Sequence, residues 1–394
     1  MLSRTAIFVC VTLSLSCGSK KSTEPSPAPT PSPCLADEYI IELKSGVVAE
    51  SVLPMNTDVI YKYTEVFNGV HVRAKNTTIN MLSENSSIEK IYHVKPVKMY
   101  GKQTPVTWGL DRLDQESLPL STTFSWGYSG KNVDAYVVDT GIKINLSEFE
   151  GRAVWVGNTI DSNNTDCVGH GTHVAGTIGS KTYGVAKEVS LFGIKVLDCD
   201  GSGTDASVAA GIDLTIKHHK QRQGKPAVLN MSLGGEGQSA PIAKSIVAAF
   251  NNNITVVVAA GNDNADACGY SPAMVPEAIT VAASTNTDSL AMFSNVGSCV
   301  DVIAPGVNIL STSIKAPWYE VMSGTSMASP HVAGVSALVL SKYPAYSPTA
   351  VSDFLKTNAN KGKIRGNLGR TPNNLVSTLW NIPICMAIVG GCTN

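Results

Sequence analysis

At 394 residues, 43% of them hydrophobic and 15% charged, the chain can bury a large core and is too long for one minimal domain. Its formal net charge of -1 gives no basic footprint for nucleic acid and no strongly acidic character, so the overall balance points to an ordinary surface without a charged partner.

The first element is an export signal over residues 1–17, in which Arg4 precedes the apolar run Thr5–Ser16 and Cys17 ends it. The run is shorter than the ~20 residues of a membrane span and reads as a signal peptide. Leu13-Ser-Leu-Ser-Cys17 resembles a bacterial lipoprotein cleavage box, although Ser14 stands where an aliphatic residue is preferred. Lipid anchoring through Cys17 and plain secretion both stand as readings. Residues 18–36 follow as a tether, because Pro alternating with small polar residues fixes backbone angles and offers nothing to bury.

Strands are expected at Tyr39–Leu43, Val59–Tyr63, Gly69–Arg73 and Ile88–Val94, with a helix at Thr77–Ser83. Together they make a small α+β unit over 37–103, and Lys98–Pro105 reads as the join. From residue 104 to about 380 the pattern changes. Apolar runs at Val133–Val138, Val189–Val196, Ala227–Ser232 and Ile254–Ala260 read as buried strands, with helices at Thr204–Lys220 and Ala240–Asn252 between them. Such alternation predicts a parallel sheet covered on both faces, with the site beyond the carboxyl ends of its strands. Residues 381–394 are a terminal tail.

Three polar motifs fall at those ends. Val137-Val-Asp-Thr-Gly-Ile142 delivers Asp139 from a strand, where a carboxylate can orient an imidazole. Gly169-His-Gly-Thr-His-Val-Ala-Gly176 offers two histidines at the tight start of a helix. Two histidines three apart could bind metal, but no nearby Glu arrangement or Cys pair completes such a site. Ser323-Gly-Thr-Ser-Met-Ala-Ser-Pro-His-Val-Ala-Gly334 places Ser326 at the N-terminus of a buried helix, where free N–H groups favour an anion. Each motif alone is also an ordinary turn or cap.

Together, and in the order Asp, His, Ser, they resemble the subtilisin-type serine proteases from about Trp108 to Leu340. Ala259-Ala-Gly-Asn-Asp-Asn-Ala-Asp-Ala-Cys-Gly-Tyr-Ser-Pro272 is most similar to the proteinase K branch. The resemblance implies an α/β, subtilisin-like three-layer fold, a mainly parallel sheet between helices, preceded by a small α+β inhibitory propeptide over 37–103. It implies an exported serine endopeptidase using Asp139, His170 as base and Ser326 as nucleophile, through an acyl-enzyme. Asn262 and the Ser326 N–H would form the oxyanion hole. His173 would be structural. Gly201, Ser202, Gly203, Ser232, Leu233 and Gly234 would bind an extended peptide by main-chain bonds. No concentrated acidic lining is evident near them, so broad specificity is expected, with apolar or aromatic residues before the cut. Asp205 departs from the pattern, which has an aromatic residue there.

The same likeness pairs Cys167 with Cys199 and Cys268 with Cys299, and export permits such bridges. Cys385 and Cys392 would close a short terminal loop, which leaves Cys34 odd. Structural calcium is implied at the carbonyls of Pro276 and Ala278 with the Asp301 carboxylate, hard oxygen ligands that suit the ion. A second site would use Asp111, Asp114 and Gln115, but Ser121 and Thr123 replace stronger donors there. The implied partners are polypeptide substrates and the chain's own propeptide, on a monomer. A peptide ligase on the same fold and a silent surface adhesin are the competing readings, the latter at odds with an intact triad.

Overall fold

The computed structural model describes residues 37–94 and 101–382, which divide into two units. The signal, the tether, Cys17, Cys34, residues 95–100 with the first part of the join, Cys385 and Cys392 lie outside the described residues. Among the described residues no helix is long and apolar enough to cross a membrane.

The smaller unit is a four-stranded antiparallel sheet in the order Asp58–Tyr63, Gly69–Arg73, Glu38–Leu43, Ile88–His93. Alternation makes its core. Tyr39, Ile41 and Leu43 point to one face with Val70 and Val72, and the helix Asn76–Ser83 covers them with Ile79 and Leu82.

The larger unit is built on a nine-stranded sheet. Its order is Asn360–Lys361, Asn374–Leu375, Val302–Pro305, Ala278–Ser284, Ile254–Ala259, Ala227–Met231, Asp134–Asp139, Ser190–Lys195, Ala153–Asn158. All neighbours run parallel except the antiparallel edge pair Asn360–Lys361 and Asn374–Leu375. Parallel strands buried on both faces need helices above and below, and the sequence supplies them. Val137 faces the helices His170–Gly179 and Thr325–Lys342 through Val174, Ile178, Val332 and Val335. Tyr136 and Val138 face the other way, onto Val208, Ile212 and Ile246 of Asp205–Gln221 and Ala240–Asn251. The three-layer expectation is met. Connections leave Asp134–Asp139 towards Ser190–Lys195 on one side, and the chain then crosses to Ala227–Met231 on the other. That reversal opens a crevice at the carboxyl ends of these strands.

Residues 101–103 pair differently from the sequence expectation, which set them with the small unit. Gly101–Gln103 is antiparallel to Phe124–Trp126 within the larger unit. A three-residue strand carries no periodic signal, so only its partner reveals it. Gln103 Oε1 accepts from Lys187 Nζ at 2.6 Å, and Lys187 also donates to the carbonyls of Lys181 and Thr182.

Burial pulls the Lys187 pKa from 10.5 down to about 7. Between these values the unfolded chain holds the proton that the folded chain has released, so stability should rise with pH from about 7 to about 10.5, by at most ~1.4 kcal/mol per pH unit. Thermal unfolding of wild type and Lys187→Met across that window checks this: the variant should lose the slope. Parallel pH dependences in the two proteins would contradict it.

Candidate active site

Asp139 ends its strand with the side chain fully buried. Its Oδ1 accepts from the Thr140 N–H at 2.7 Å and meets His170 Nδ1 at 2.7 Å, while Oδ2 has no partner among the described residues. His170 opens the helix His170–Gly179, and two glycines let it do so beside the strand. Gly169 has φ 101°, a left-handed turn that suits glycine. A Cβ on Gly171 would come within 2.2 Å of the Gly141 carbonyl oxygen.

Asp166 holds these parts together, although the sequence reading passed over it. Its Oδ1 accepts from Thr140 Oγ1 and from the Val168 and Gly169 N–H groups, and its Oδ2 from the Thr172 N–H and Oγ1. Thr140 Oγ1 in turn accepts from the Gly171 N–H. The carboxylate thus caps the helix that carries His170 and pins the loop that follows Asp139. Asp-x-x-Gly-His before a helix was the available signal, a capping pattern one turn early. Lys195, fully buried opposite Asp139 in the sheet register, was also missed; its Nζ donates to the carbonyls of Leu197 at 2.7 Å and Thr140 at 3.3 Å.

Ser326 is the second residue of the helix Thr325–Lys342. Pro330, four residues on, has no N–H to return to the Ser326 carbonyl. The hydroxyl of Ser232 fills that vacancy at 2.9 Å, and the Ser326 hydroxyl donates to the Ser232 carbonyl at 3.1 Å. Asn230 and Ser329 bond Ser232 Oγ from behind. In this rotamer Ser326 leans on the cleft wall rather than on His170. Asn262 lies beyond the strand Ile254–Ala259. Its Oδ1 accepts from the Thr325 N–H at 2.8 Å and Thr325 Oγ1 at 3.0 Å, which leaves the Nδ2 donors for another acceptor. Thr325 was not singled out from the sequence.

His170, Ser326, Asn262, Gly201–Gly203 and Ser232–Gly234 line one cavity of about 880 Å³. The Gly201 and Ser202 N–H groups bond Asp198, and the Ser202 carbonyl accepts the Asp198 N–H. Within that stretch Gly203 has the open backbone.

The other expected residues fall as follows. Cys167 bridges Cys199, and Cys268 bridges Cys299, with Cα separations of 5.2 and 5.4 Å. His173 Nε2 faces the Ile309 carbonyl, and burial takes its pKa down to about 4, which suits a neutral structural ring. Asp301 accepts from the Thr280 N–H at 2.9 Å and meets Lys356 Nζ at 3.3 Å, and burial still raises its pKa. That is an incompletely neutralised carboxylate beside the strand Ala278–Ser284, chemistry that fits a hard cation. Asp111 and Asp114 are held by donors of the chain itself, accepting from the Ser121, Thr122 and Ser125 N–H groups and from Ser121 Oγ and Gln115 Nε2, and burial raises the Asp114 pKa to about 6. Among the described residues no three His, Cys, Asp or Glu side chains gather as a metal cluster.

Residues 130–374 match the subtilase family, peptidase S8. The chain belongs to that family. An extracellular serine proteinase of a Thermus species is 46% identical over 80% of the chain and 77% of that protein. The alkaline serine exoprotease A of Vibrio alginolyticus is also 46% identical over 71% of the chain, which spans about half (52%) of that relative's length. The crystal structure of a cold-adapted subtilisin-like serine proteinase superposes with a TM-score of 0.66, at 44% identity, covering 70% of this chain and 99% of its own. The protein is therefore a serine-type endopeptidase of the subtilase family, and its likeness to the proteinase K branch agrees with these neighbours.

Burial disfavours a charged His170 ring, but the field and hydrogen bond of Asp139, aided by Asp166, outweigh it and hold the pKa above 6.5. An NMR titration should place the His170 transition above pH 6.5, and Asp139→Asn should lower it, because burial is then opposed only by the weaker field of Asp166. An unmoved titration in Asp139→Asn would show that the carboxylate does not govern the ring.

Proposed function

We propose that this subtilase cleaves polypeptides through Ser326, His170 and Asp139, and that it is exported as a precursor. The observation that carries the reading is convergence: an Asp-held imidazole, a serine at a helix start and an amide with free donors face one cavity. Ser326 Oγ turns from the Ser232 carbonyl to His170 Nε2 and attacks the substrate carbonyl while Nε2 takes its proton. Asp139 keeps Nδ1 protonated and stabilises the imidazolium. The carbonyl oxygen becomes anionic in the tetrahedral intermediate, where Asn262 Nδ2 and the Ser326 N–H donate to it. His170 then protonates the leaving amine and an acyl-enzyme remains. Water, deprotonated by His170, releases the acid and restores Ser326.

Ser232–Gly234 and Gly203 would flank an extended peptide, and small residues at Ala259, Ala260, Gly261 and Ala273 leave room for an apolar or aromatic side chain before the cut. Ser326→Ala should abolish hydrolysis and lose only about 1 kcal/mol of stability, the scale of the one hydroxyl hydrogen bond it makes to the Ser232 carbonyl. A fluorophosphonate should label Ser326 alone. Label on Ser323 or Ser329, or turnover by the variant, would sink the assignment.

Export is supported by the disulfides and by the word extracellular in the name of the Thermus relative. A monomeric state belongs to the same proposal, and lipid anchoring through Cys17 and plain secretion both stand as routes of that export. The small unit over residues 37–94 is read as the inhibitory, folding-assisting propeptide. Because Gly101–Gln103 is bonded into the larger unit, the reading we favour puts self-cleavage before Gly101, within the Lys98–Pro105 join and ahead of the domain boundary expected at residue 104. Purified Ser326→Ala precursor should keep its N-terminal unit while the wild type loses it.

Calcium would be held by the Pro276 and Ala278 carbonyls and Asp301, where it would supply structural charge, in competition with Lys356. Lys356→Met should then enlarge the rise in Tm that calcium produces over chelator, since binding to the folded state stabilises by mass action. An identical Tm in calcium and chelator for both proteins would remove the site.

A further inference from the structure

The sequence reading found no concentrated acidic lining near the peptide-binding segments, yet the fold brings Asp205, Glu236 and Asp263 into the cleft, all exposed. Among the described residues no Lys or Arg lines the same cavity. The three carboxylates make no ion pair among the described residues. Asp205 is the best placed. It opens the helix Asp205–Gln221, Ser239 Oγ donates to its Oδ2 at 3.2 Å, and one turn on from it the buried Val208 meets Ile242 to floor this end of the cavity.

An apolar floor with a carboxylate at its rim suits one kind of side chain. Lysine and arginine lay a methylene stem on apolar surface while the cationic head meets the anion. A negative cleft with low-dielectric walls also focuses its field on an arriving cation and repels an acidic peptide.

We propose that Asp205, seconded by Glu236, makes this protease select a basic residue at one position on the acyl side of the cut, beyond the residue whose carbonyl is attacked. The proposal rests on the catalytic reading above and narrows its broad specificity at that position alone. It is a property of the cleft already described and not a separate site.

Quenched peptides with one fixed apolar residue before the scissile bond, and Lys, Arg, Gln or Glu at each of the three preceding positions in turn, provide the test. At one position kcat/KM for Lys or Arg should exceed that for Gln by about threefold to tenfold, the scale of an ion pair on a half-open surface, and Glu should rank last. In Asp205→Asn the Lys-to-Gln ratio should fall towards one, with a smaller fall in Glu236→Gln. In wild type alone, 1 M salt should flatten the ratio as the Debye length shrinks from about 8 to about 3 Å. Ratios near one at every position in low salt, or a preference kept by the Asp205→Asn, Glu236→Gln double variant, overturn the proposal while leaving proteolysis intact. Failure to cleave any of the peptides, or equal cleavage by Ser326→Ala, overturns the catalytic reading and this inference with it.

Discussion

The Asp166 carboxylate is the constraint on which the catalytic geometry rests. It accepts five hydrogen bonds, three from the N-terminal N–H groups at 168, 169 and 172 and two from the hydroxyls of Thr140 and Thr172. A buried carboxylate is tolerated when its lone pairs are filled in this way, and here the filling joins two loops that the sheet alone would leave independent. One loop follows Asp139 and the other leads into His170. Lys195 braces the first from below through the Thr140 carbonyl and carries the brace on to Leu197, just ahead of Asp198 and the cleft rim. The Cys167–Cys199 bridge ties the loop that leads into His170 covalently to that rim.

On the far side of the cleft the corresponding device is a missing donor. Pro330 interrupts the hydrogen-bond ladder of a helix otherwise buried from Met327 to Leu340, and the carbonyl thus released belongs to Ser326. Ser232 occupies it and so registers the strand end Ala227–Met231 against the helix start. Thr325 performs the matching task for Asn262 by occupying the amide oxygen, which decides which end of the amide faces the cavity. Both contacts turn backbone or side-chain groups into fixed donors before any substrate arrives. Such preorganisation is what an oxyanion requires.

Environment also divides the histidines. His173 and His331 are buried without an acidic partner and are driven to pKa values of about 4, whereas His170, close by in the chain from His173, is moved upward by Asp139. Carboxylates thus separate the proposed proton acceptor from rings that serve packing. Burial alone would have made all three inert.

From the sequence alone, the parallel sheet, its covering helices and the residues Asp139, His170, Ser326 and Asn262 were legible, because apolar periodicity and short glycine-bounded motifs are local properties of the chain. The strands and helix of the smaller unit were legible for the same reason, while their antiparallel pairing was not. Asp166, Lys195 and Thr325 were not, since a polar residue in a loop looks alike whether it caps, braces or faces solvent. The strand Gly101–Gln103 escaped because three residues have no period and its partner lies 21 positions or more away. The acidic character of the cleft was hidden in the same way: Asp205, Glu236 and Asp263 are scattered along the chain, and only the convergence of the strands' carboxyl ends sets them around one cavity. Charge acts through space, so which carboxylates share a field is decided by tertiary structure, while which segments become strands and helices was already written in the order of the residues.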